Sequence, residues 1–77
     1  MNNDLGKLLK TARGNKSLRE FAREIGISHT HLDSLERGYD PRTGKRVNVS
    51  IATLQKLSNA TGINVSVLLK KAEVETE

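Results

Sequence analysis

The 77-residue sequence predicts a single all-α domain built from five short helices. Three observations lead to this prediction. Apolar residues recur at i, i+3, i+4 and i+7 in successive stretches, which is the spacing of one face of an α-helix. A serine, asparagine or aspartate precedes each stretch, and a glycine follows most of them, as at helix ends. The length is close to the lower limit for a chain that folds on its own core.

The first predicted helix begins at a cap, Asp4 or Asn3. Its apolar face consists of Leu5, Leu8, Leu9 and Ala12. The second helix begins after Ser17, which can form a capping box with Glu20, and it stops at Gly26. Its apolar residues at the same spacing are Leu18, Phe21, Ala22 and Ile25.

The third predicted helix begins after Ser28 and ends at Gly38, a position suited to the left-handed conformation. Its inward residues are Leu32 and Leu35. The long irregular segment 39–49 follows, in which a tight hairpin between Tyr39 and Val47 is one possible arrangement. Three basic residues make this segment positively charged: Arg42, Lys45 and Arg46.

Ser50 caps the fourth predicted helix, Gly62 closes it, and Asn64 caps the fifth. The inward residues of the fourth helix are Ile51, Leu54, Leu57 and Ala60. The fifth carries Val65, Val67, Leu68, Leu69 and Ala72, and Val67 points away from the others. Such an apolar face is most often core, and any surplus suits a dimer seam or another partner. We expect a domain over residues 1–72 and a frayed acidic tail over 73–77.

The charge of the chain indicates the kind of partner. Its 13 basic and 9 acidic residues give a net charge of +4, and residues 1–72 alone carry +7 because three acids lie in the tail. A compact domain this basic predicts a polyanionic partner, with ordinary solubility charge as the alternative. The chain contains no cysteine, which excludes disulfides and thiol chemistry. Without a membrane span or signal peptide, we expect a cytoplasmic protein.

The second and third helices together predict a helix-turn-helix. Ala22 leaves room for a close helix crossing, Gly26 allows a sharp turn, and Leu32 and Leu35 anchor the third helix inward. In such a unit the second helix lies in the DNA major groove. At about 100° per residue, its outward face carries groups that can match base edges or phosphates. We expect base contacts from His29, Thr30, Asp33 and Ser34, and phosphate contacts from His31 and Arg37.

Three tracts resemble the Cro/repressor-type (Xre) helix-turn-helix family, and within it the SinR-like regulators of Gram-positive bacteria. They are LGKLLKTAR at 5–13, SLREFAREIGISHTHLDSLERG at 17–38 and SIATLQKLSNATGINVSVLL at 50–69. The Leu-Glu-Arg-Gly end of the third helix is a distinctive feature of that family. The resemblance covers nearly the whole chain. It implies a five-helix, lambda repressor-like fold and a homodimer on palindromic double-stranded DNA.

The resemblance also implies roles for individual residues. The amides at the caps of the second and fourth helices, Ser17 and Ser50, would hold phosphates. Arg13 and Glu36 would form a structural ion pair between the first and third helices. The sequence departs from the family at Leu18, where many members have glutamine. The phosphate or base contact that this glutamine makes is therefore lost or left to Arg19. It departs again in the loop after Gly38, which is longer than usual. The loop residues Arg42, Lys45 and Arg46 either contact the DNA backbone or minor groove, or decorate an exposed hairpin.

An enzyme is the weakest interpretation of the sequence. The only histidines, His29 and His31, stand two positions apart, whereas metal ligands on one helix need a spacing of three or four. We therefore expect no catalytic residues, no metal and no cofactor, and no small-molecule substrate is evident. The stronger alternative to a DNA-binding repressor is a protein-interaction module of the same fold, such as an antitoxin or an adaptor. The sequence is equally compatible with a complete small regulator and with the DNA-binding part of a longer one.

Overall fold

The computed structural model describes residues 4–47 and 49–72, and this part of the chain forms five α-helices and no strand. The helices are α1 (Asp4–Arg13), α2 (Leu18–Ile25), α3 (His29–Arg37), α4 (Ile51–Thr61) and α5 (Val65–Ala72). The predicted five-helix, all-α architecture is confirmed. None of these helices is long and apolar enough to cross a membrane.

Short polar side chains start the helices where the sequence predicts. Ser17, Ser28 and Ser50 have extended backbone, and each hydroxyl oxygen accepts a hydrogen bond from the N–H three residues later. The amide oxygen of Asn64 accepts from the N–H of Ser66 at 2.9 Å. Glycines in the left-handed region end α2, α3 and α4. Of the two caps predicted for α1, Asn3 lies outside the described residues, and Asp4 is itself the first helical residue.

One apolar cluster holds the helices together. It consists of Leu5, Leu9, Phe21, Ala22, Ile25, Leu32, Leu35, Leu54, Leu57 and Leu68. Helix α3 lies against α1 and α2, while α5 lies against α1 and α4. Burying a leucine side chain fully contributes about 1.5–3 kcal/mol relative to leaving it exposed. The orientation of α3 is therefore fixed by leucines shared with α1 and α2.

Two predicted core residues are exposed instead. Ala12 was expected on the inner face of α1, but the covered strip of α1 is formed by Leu5, Leu9 and the buried Gly6, and Ala12 lies beside it. Ile51 was expected on the inner face of α4 and is 52% exposed. The buried residues of α4 are Thr53, Leu54 and Leu57, and at about 100° per residue Ile51 falls outside the strip they define. Each pattern gave the helix correctly but misjudged which part of its apolar face is covered.

Candidate nucleic-acid interface

A three-residue turn joins α2 to α3 and sets the angle between them. Gly26 has φ 95° and ψ 28°, a left-handed conformation that residues with a Cβ rarely adopt. Its N–H and that of Ile27 both donate to the carbonyl of Ala22, at 2.8 and 3.1 Å. Ser28 then begins α3, and its hydroxyl oxygen accepts from the N–H of His31 at 3.0 Å. These bonds pair backbone N–H groups at the end of α2 and at the start of α3 that the helices themselves leave unpaired, and they make the turn rigid.

Packing and one ion pair hold the inner side of α3. Leu32 and Leu35 are buried against α1 and α2, and Ala22 lies in the same cluster. The guanidinium of Arg13 in α1 donates to both carboxylate oxygens of Glu36 in α3, with N–O distances of 2.9 and 3.0 Å. The hydrogen bond to Glu36 raises the pKa of Arg13. This pair, which the family resemblance implies, lies largely beneath the surface and fixes α3 relative to α1.

The first turn of α3 presents two exposed side chains, His29 and Thr30. One turn later lies the half-buried Asp33, whose Oδ2 accepts from Nε of Arg37 at 2.9 Å. This bond ties the Arg37 guanidinium to its own helix, and hydrogen bonds to Tyr39 and to Asp33 raise the pKa of Arg37. Three of the four predicted base-contacting residues therefore have accessible surface on the outward side of α3.

The fourth predicted base-contacting residue has a different environment. Ser34 is only 8% exposed and lines a groove beside α3, together with Thr30 and the half-buried His31. The opposite side of this groove is formed by the segment that follows α3. The predicted readout residues thus divide into an outer strip, His29 and Asp33, and a groove side, Ser34, with Thr30 between them.

The segment after α3 forms the hairpin that was considered from the sequence. Tyr39 and Arg46 form an antiparallel bridge, and the N–H of Asp40 donates to the carbonyl of Lys45 at 2.8 Å. The carboxylate of Asp40 accepts from the N–H of Arg42 at 2.9 Å, and this bond lowers the pKa of Asp40. Residues 39–47, called the basic hairpin below, carry three predicted phosphate-contacting side chains. All three are exposed: Arg42, Lys45 and Arg46.

The two helix N-termini predicted to hold phosphates differ in charge. At α2 the capping box is complete: the hydroxyl of Ser17 accepts from the N–H of Glu20, and the Glu20 carboxylate accepts from the N–H of Ser17. A carboxylate therefore already stands at the positive end of α2 and repels a second anion. At α4 the partner of Ser50 is the uncharged Thr53, and the first turn contains no acidic residue. On electrostatic grounds the start of α4 suits a phosphate better.

Sequence reasoning missed three residues that shape this surface. Asp40 holds the turn of the basic hairpin, Thr43 lines the groove, and Tyr39 contacts Arg37. An aspartate followed two residues later by a backbone donor is a turn signal that could have indicated the role of Asp40. Within residues 4–47 and 49–72, no group of three or more histidine, aspartate and glutamate side chains could hold a metal ion.

Comparison with known proteins identifies the family. A family model described as helix-turn-helix, of the Cro/repressor, Xre-like type, matches residues 7–68. No curated protein and no solved structure gives a significant match. The matched range runs from α1 into α5 and contains the rigid turn, the exposed first turn of α3 and the ion pair beneath it. The chain therefore belongs to the Xre-like helix-turn-helix family of DNA-binding regulators.

Proposed function

We propose that this protein is a repressor that binds a palindromic operator in double-stranded DNA as a homodimer, with α3 in the major groove. The observation that carries the proposal is the exposed polar first turn of α3 on a helix fixed from behind by Leu32, Leu35 and Glu36. Sequence readout requires side chains held in a defined position, since base edges are distinguished by the geometry of donors and acceptors. A regulator of this kind acts where the DNA lies, so we expect it in the cytoplasm.

His29 and Thr30 are the proposed principal readers, because both are exposed at the end of α3 that enters a groove in helix-turn-helix proteins. Asp33 is the proposed acceptor for a cytosine amino group, the base-edge donor that suits a carboxylate. Its bond to Arg37 fixes the carboxylate in place and balances its charge. Ser34 remains a predicted contact, limited by its small exposed area.

Phosphate contacts are proposed on both sides of α3. Ser50 lies at the start of α4, where the first turn carries no acidic side chain. Ser17 shares the start of α2 with Glu20, so it is the weaker of the two proposed phosphate sites. The remaining proposed contacts come from exposed or half-buried basic side chains: Arg19, His31, Arg37, Arg42, Lys45 and Arg46. Such contacts set the register of a protein on the duplex without reading its sequence.

The proposed dimer rests on apolar surface that the monomer leaves uncovered on α5. Val67 is 42% exposed and Leu69 is 38% exposed, although Leu68 between them is fully buried. A two-fold dimer would bury this surface and place two copies of α3 on adjacent turns of the duplex, which is the symmetry of a palindromic operator. Repression follows if the bound dimer blocks a promoter.

The test begins with selection of preferred duplexes from a random pool, followed by anisotropy titrations at two salt concentrations. We expect a steep fall in affinity with salt, because phosphate contacts release counterions. His29→Ala or Thr30→Ala should weaken the selected site by roughly 1–3 kcal/mol and relax its sequence preference. Asn59→Ala, an exposed polar residue of α4, is the control and should change neither property. An equal loss on selected and random DNA would contradict base readout by these residues.

The same exposed residues of α5 support a second candidate, a protein-interaction module of the antitoxin or adaptor type. The two candidates differ in what they require of DNA. An adaptor needs no duplex and shows no salt-dependent DNA binding, whereas the proposed repressor does. Failure to bind any duplex at low ionic strength, from a folded protein, would favour the adaptor.

A further inference from the structure

A small cleft, called the α5 cleft below, lies where the end of α5 meets the start of α1 and the base of the basic hairpin. Its volume is about 40 Å³, and its apolar lining comprises Leu5, Leu35, Val47, Val49 and Ala72. The two leucines belong to the buried core, and the other three side chains are packed against it. Since a water-sized group needs roughly 10–15 Å³, the cleft has room for about three such groups, the size of one short aliphatic side chain.

The rim of the α5 cleft is positively charged. Of the lining residues that the structure describes, Lys71 and Arg46 are cationic and none is acidic. Arg46 has a further interaction within the protein. Lys71 is exposed, and within residues 4–47 and 49–72 no carboxylate forms an ion pair with it. The cleft therefore suits a short aliphatic side chain that is flanked by carboxylates.

The chain itself supplies this pattern directly after the cleft. Ala72 lines the cleft, and the next residues are Glu73, Val74 and Glu75, which lie outside the described part of the chain. Val74 follows Ala72 by two residues, a span of at most about 7 Å, so its side chain can reach the cleft. It is the only apolar residue among residues 73–77.

The charges of residues 73–77 favour an extended chain over a continuation of α5. Carboxylates are unfavourable at the negative C-terminal end of a helix. In a helix Glu73 and Glu77 would also stand four positions apart, where like charges repel each other. In an extended chain alternate side chains point to opposite sides, so all three glutamates would face away from Val74. An extended tail can therefore place an isopropyl group in the cleft while its carboxylates stay at the rim.

The segment before α1 is the other part of the chain near the cleft, because Leu5 lies in the first turn of α1. Residues 1–3 contain one apolar side chain, that of Met1, and no acid. They offer no carboxylate to pair with Lys71, whereas residues 73–77 offer three. Charge complementarity therefore favours the segment that follows α5.

We propose that residues 73–77 dock back on the protein, with Val74 in the α5 cleft and with Glu73 and Glu75 at its cationic rim. This docked segment takes the place of the frayed tail expected from the sequence. Arg46 lines both the cleft and the groove beside α3, so the docked carboxylates lie at the base of the basic hairpin. There they lower the positive potential that attracts a phosphate backbone. The tail thereby weakens DNA binding, a consequence that rests on the proposed function, whereas the docking itself does not.

NMR of the full chain without DNA tests the docking. We expect nuclear Overhauser contacts between the methyl groups of Val74 and those of Leu35 and Val47. Val74→Ser should shift the backbone amide of Val47. The matched change Val67→Ser, at an exposed valine of α5 outside the cleft, should leave that amide unchanged. Contacts from Met1 in place of Val74, or an amide that Val74→Ser does not move, overturn the proposal.

Titration of the selected duplex tests the inhibitory effect. Val74→Ser leaves the net charge at +4, so a gain in affinity reports the position of the tail carboxylates and not their number. We expect a gain of about two- to fivefold, the strength of one exposed ion pair, and a smaller gain at high salt. In a chain that also carries Glu73→Gln and Glu75→Gln, Val74→Ser should leave the affinity unchanged, because no carboxylate then remains at the rim. The same gain in both backgrounds, or no gain in either, overturns the inhibitory effect.

The two experiments separate this proposal from the proposed function. Contacts of Val74 in the cleft, in a protein that binds no duplex, support the docking and remove the proposed function. Absence of these contacts, in a protein that binds its selected duplex with the expected salt dependence, overturns the docking and leaves the proposed function standing.

Discussion

The α2–α3 unit, residues 18–37, and the basic hairpin, residues 39–47, lie side by side on the candidate DNA surface, yet they are stabilised differently. In the α2–α3 unit, buried leucines, a rigid turn and the Arg13–Glu36 ion pair fix the buried side of α3. In the basic hairpin, most side chains are exposed and the backbone bonds link the hairpin to itself. One apolar side chain of the hairpin, Val47, packs against the core.

This difference separates two requirements of DNA recognition. Reading a base needs a side chain held in place, because a misplaced donor matches no edge. Contacting a phosphate needs mainly charge and reach, which an exposed arm supplies. In the proposed function, the α2–α3 unit serves the first requirement and the hairpin serves the second. Stability should therefore be sensitive to changes behind α3 and insensitive to most changes in the hairpin.

The largest expected effect comes from Leu32→Ala. Leu32 is fully buried under α3, and removal of such a side chain leaves a cavity and costs about 2–5 kcal/mol of unfolding free energy. The matched change in the hairpin, Val47→Ala, removes fewer atoms from a half-buried position and should cost less than about 1.5 kcal/mol. Urea denaturation followed by circular dichroism measures both. Equal losses would mean that the hairpin is as much a part of the core as α3.

The second test compares two arginines. Arg13→Ala leaves the buried carboxylate of Glu36 without its bidentate partner, and we expect a loss of about 2–3 kcal/mol. Arg42→Ala breaks an exposed pair in the hairpin, for which about 0.5 kcal/mol or less is expected. The same denaturation experiment compares the variants. A stability loss in Arg42→Ala as large as that in Arg13→Ala would contradict the contrast between the regions.

The third test introduces the same strain in both regions. Gly26 and Gly44 both have positive φ, 95° and 73°, and an added Cβ meets no other atom at either position. Alanine at either site therefore carries about 1 kcal/mol of backbone strain with no clash. For Gly26→Ala we expect this cost to appear in global unfolding. For Gly44→Ala the hairpin can open locally, so the exchange rate of the Asp40 amide should rise while the urea midpoint stays constant. A lowered midpoint in both variants would show that the hairpin and the core unfold together.

The sequence predicted those features that depend on local chemistry. The capping box of Ser17 and Glu20, the serine caps and the glycine helix ends were all correct, because each is decided within four residues. The exposure of Ile51 and of Ser34 was predicted wrongly, since it depends on how segments that are distant in the chain pack together. A helical period shows that side chains share a face, but not how much of that face a neighbour covers. The groove depends on how the hairpin lies beside α3, which no local pattern encodes.

The smallest expected effect concerns pH and is confined to the hairpin. The backbone hydrogen bond from Arg42 lowers the pKa of Asp40, so the folded hairpin favours the charged carboxylate. The resulting stabilisation is present above the pKa of an unfolded aspartate and is lost as pH falls through the lowered pKa. NMR titration of the Asp40 carboxyl should give a midpoint below that of an ordinary aspartate, and the protection of the Arg42 amide against exchange should fall as the pH drops through that midpoint. Asp40→Asn keeps an oxygen acceptor but cannot titrate, so it should remove the acid dependence of the hairpin while the protection of the α3 amides stays the same. If the α3 amides lost protection at the same midpoint in the unsubstituted protein, the hairpin and α3 would form one cooperative unit.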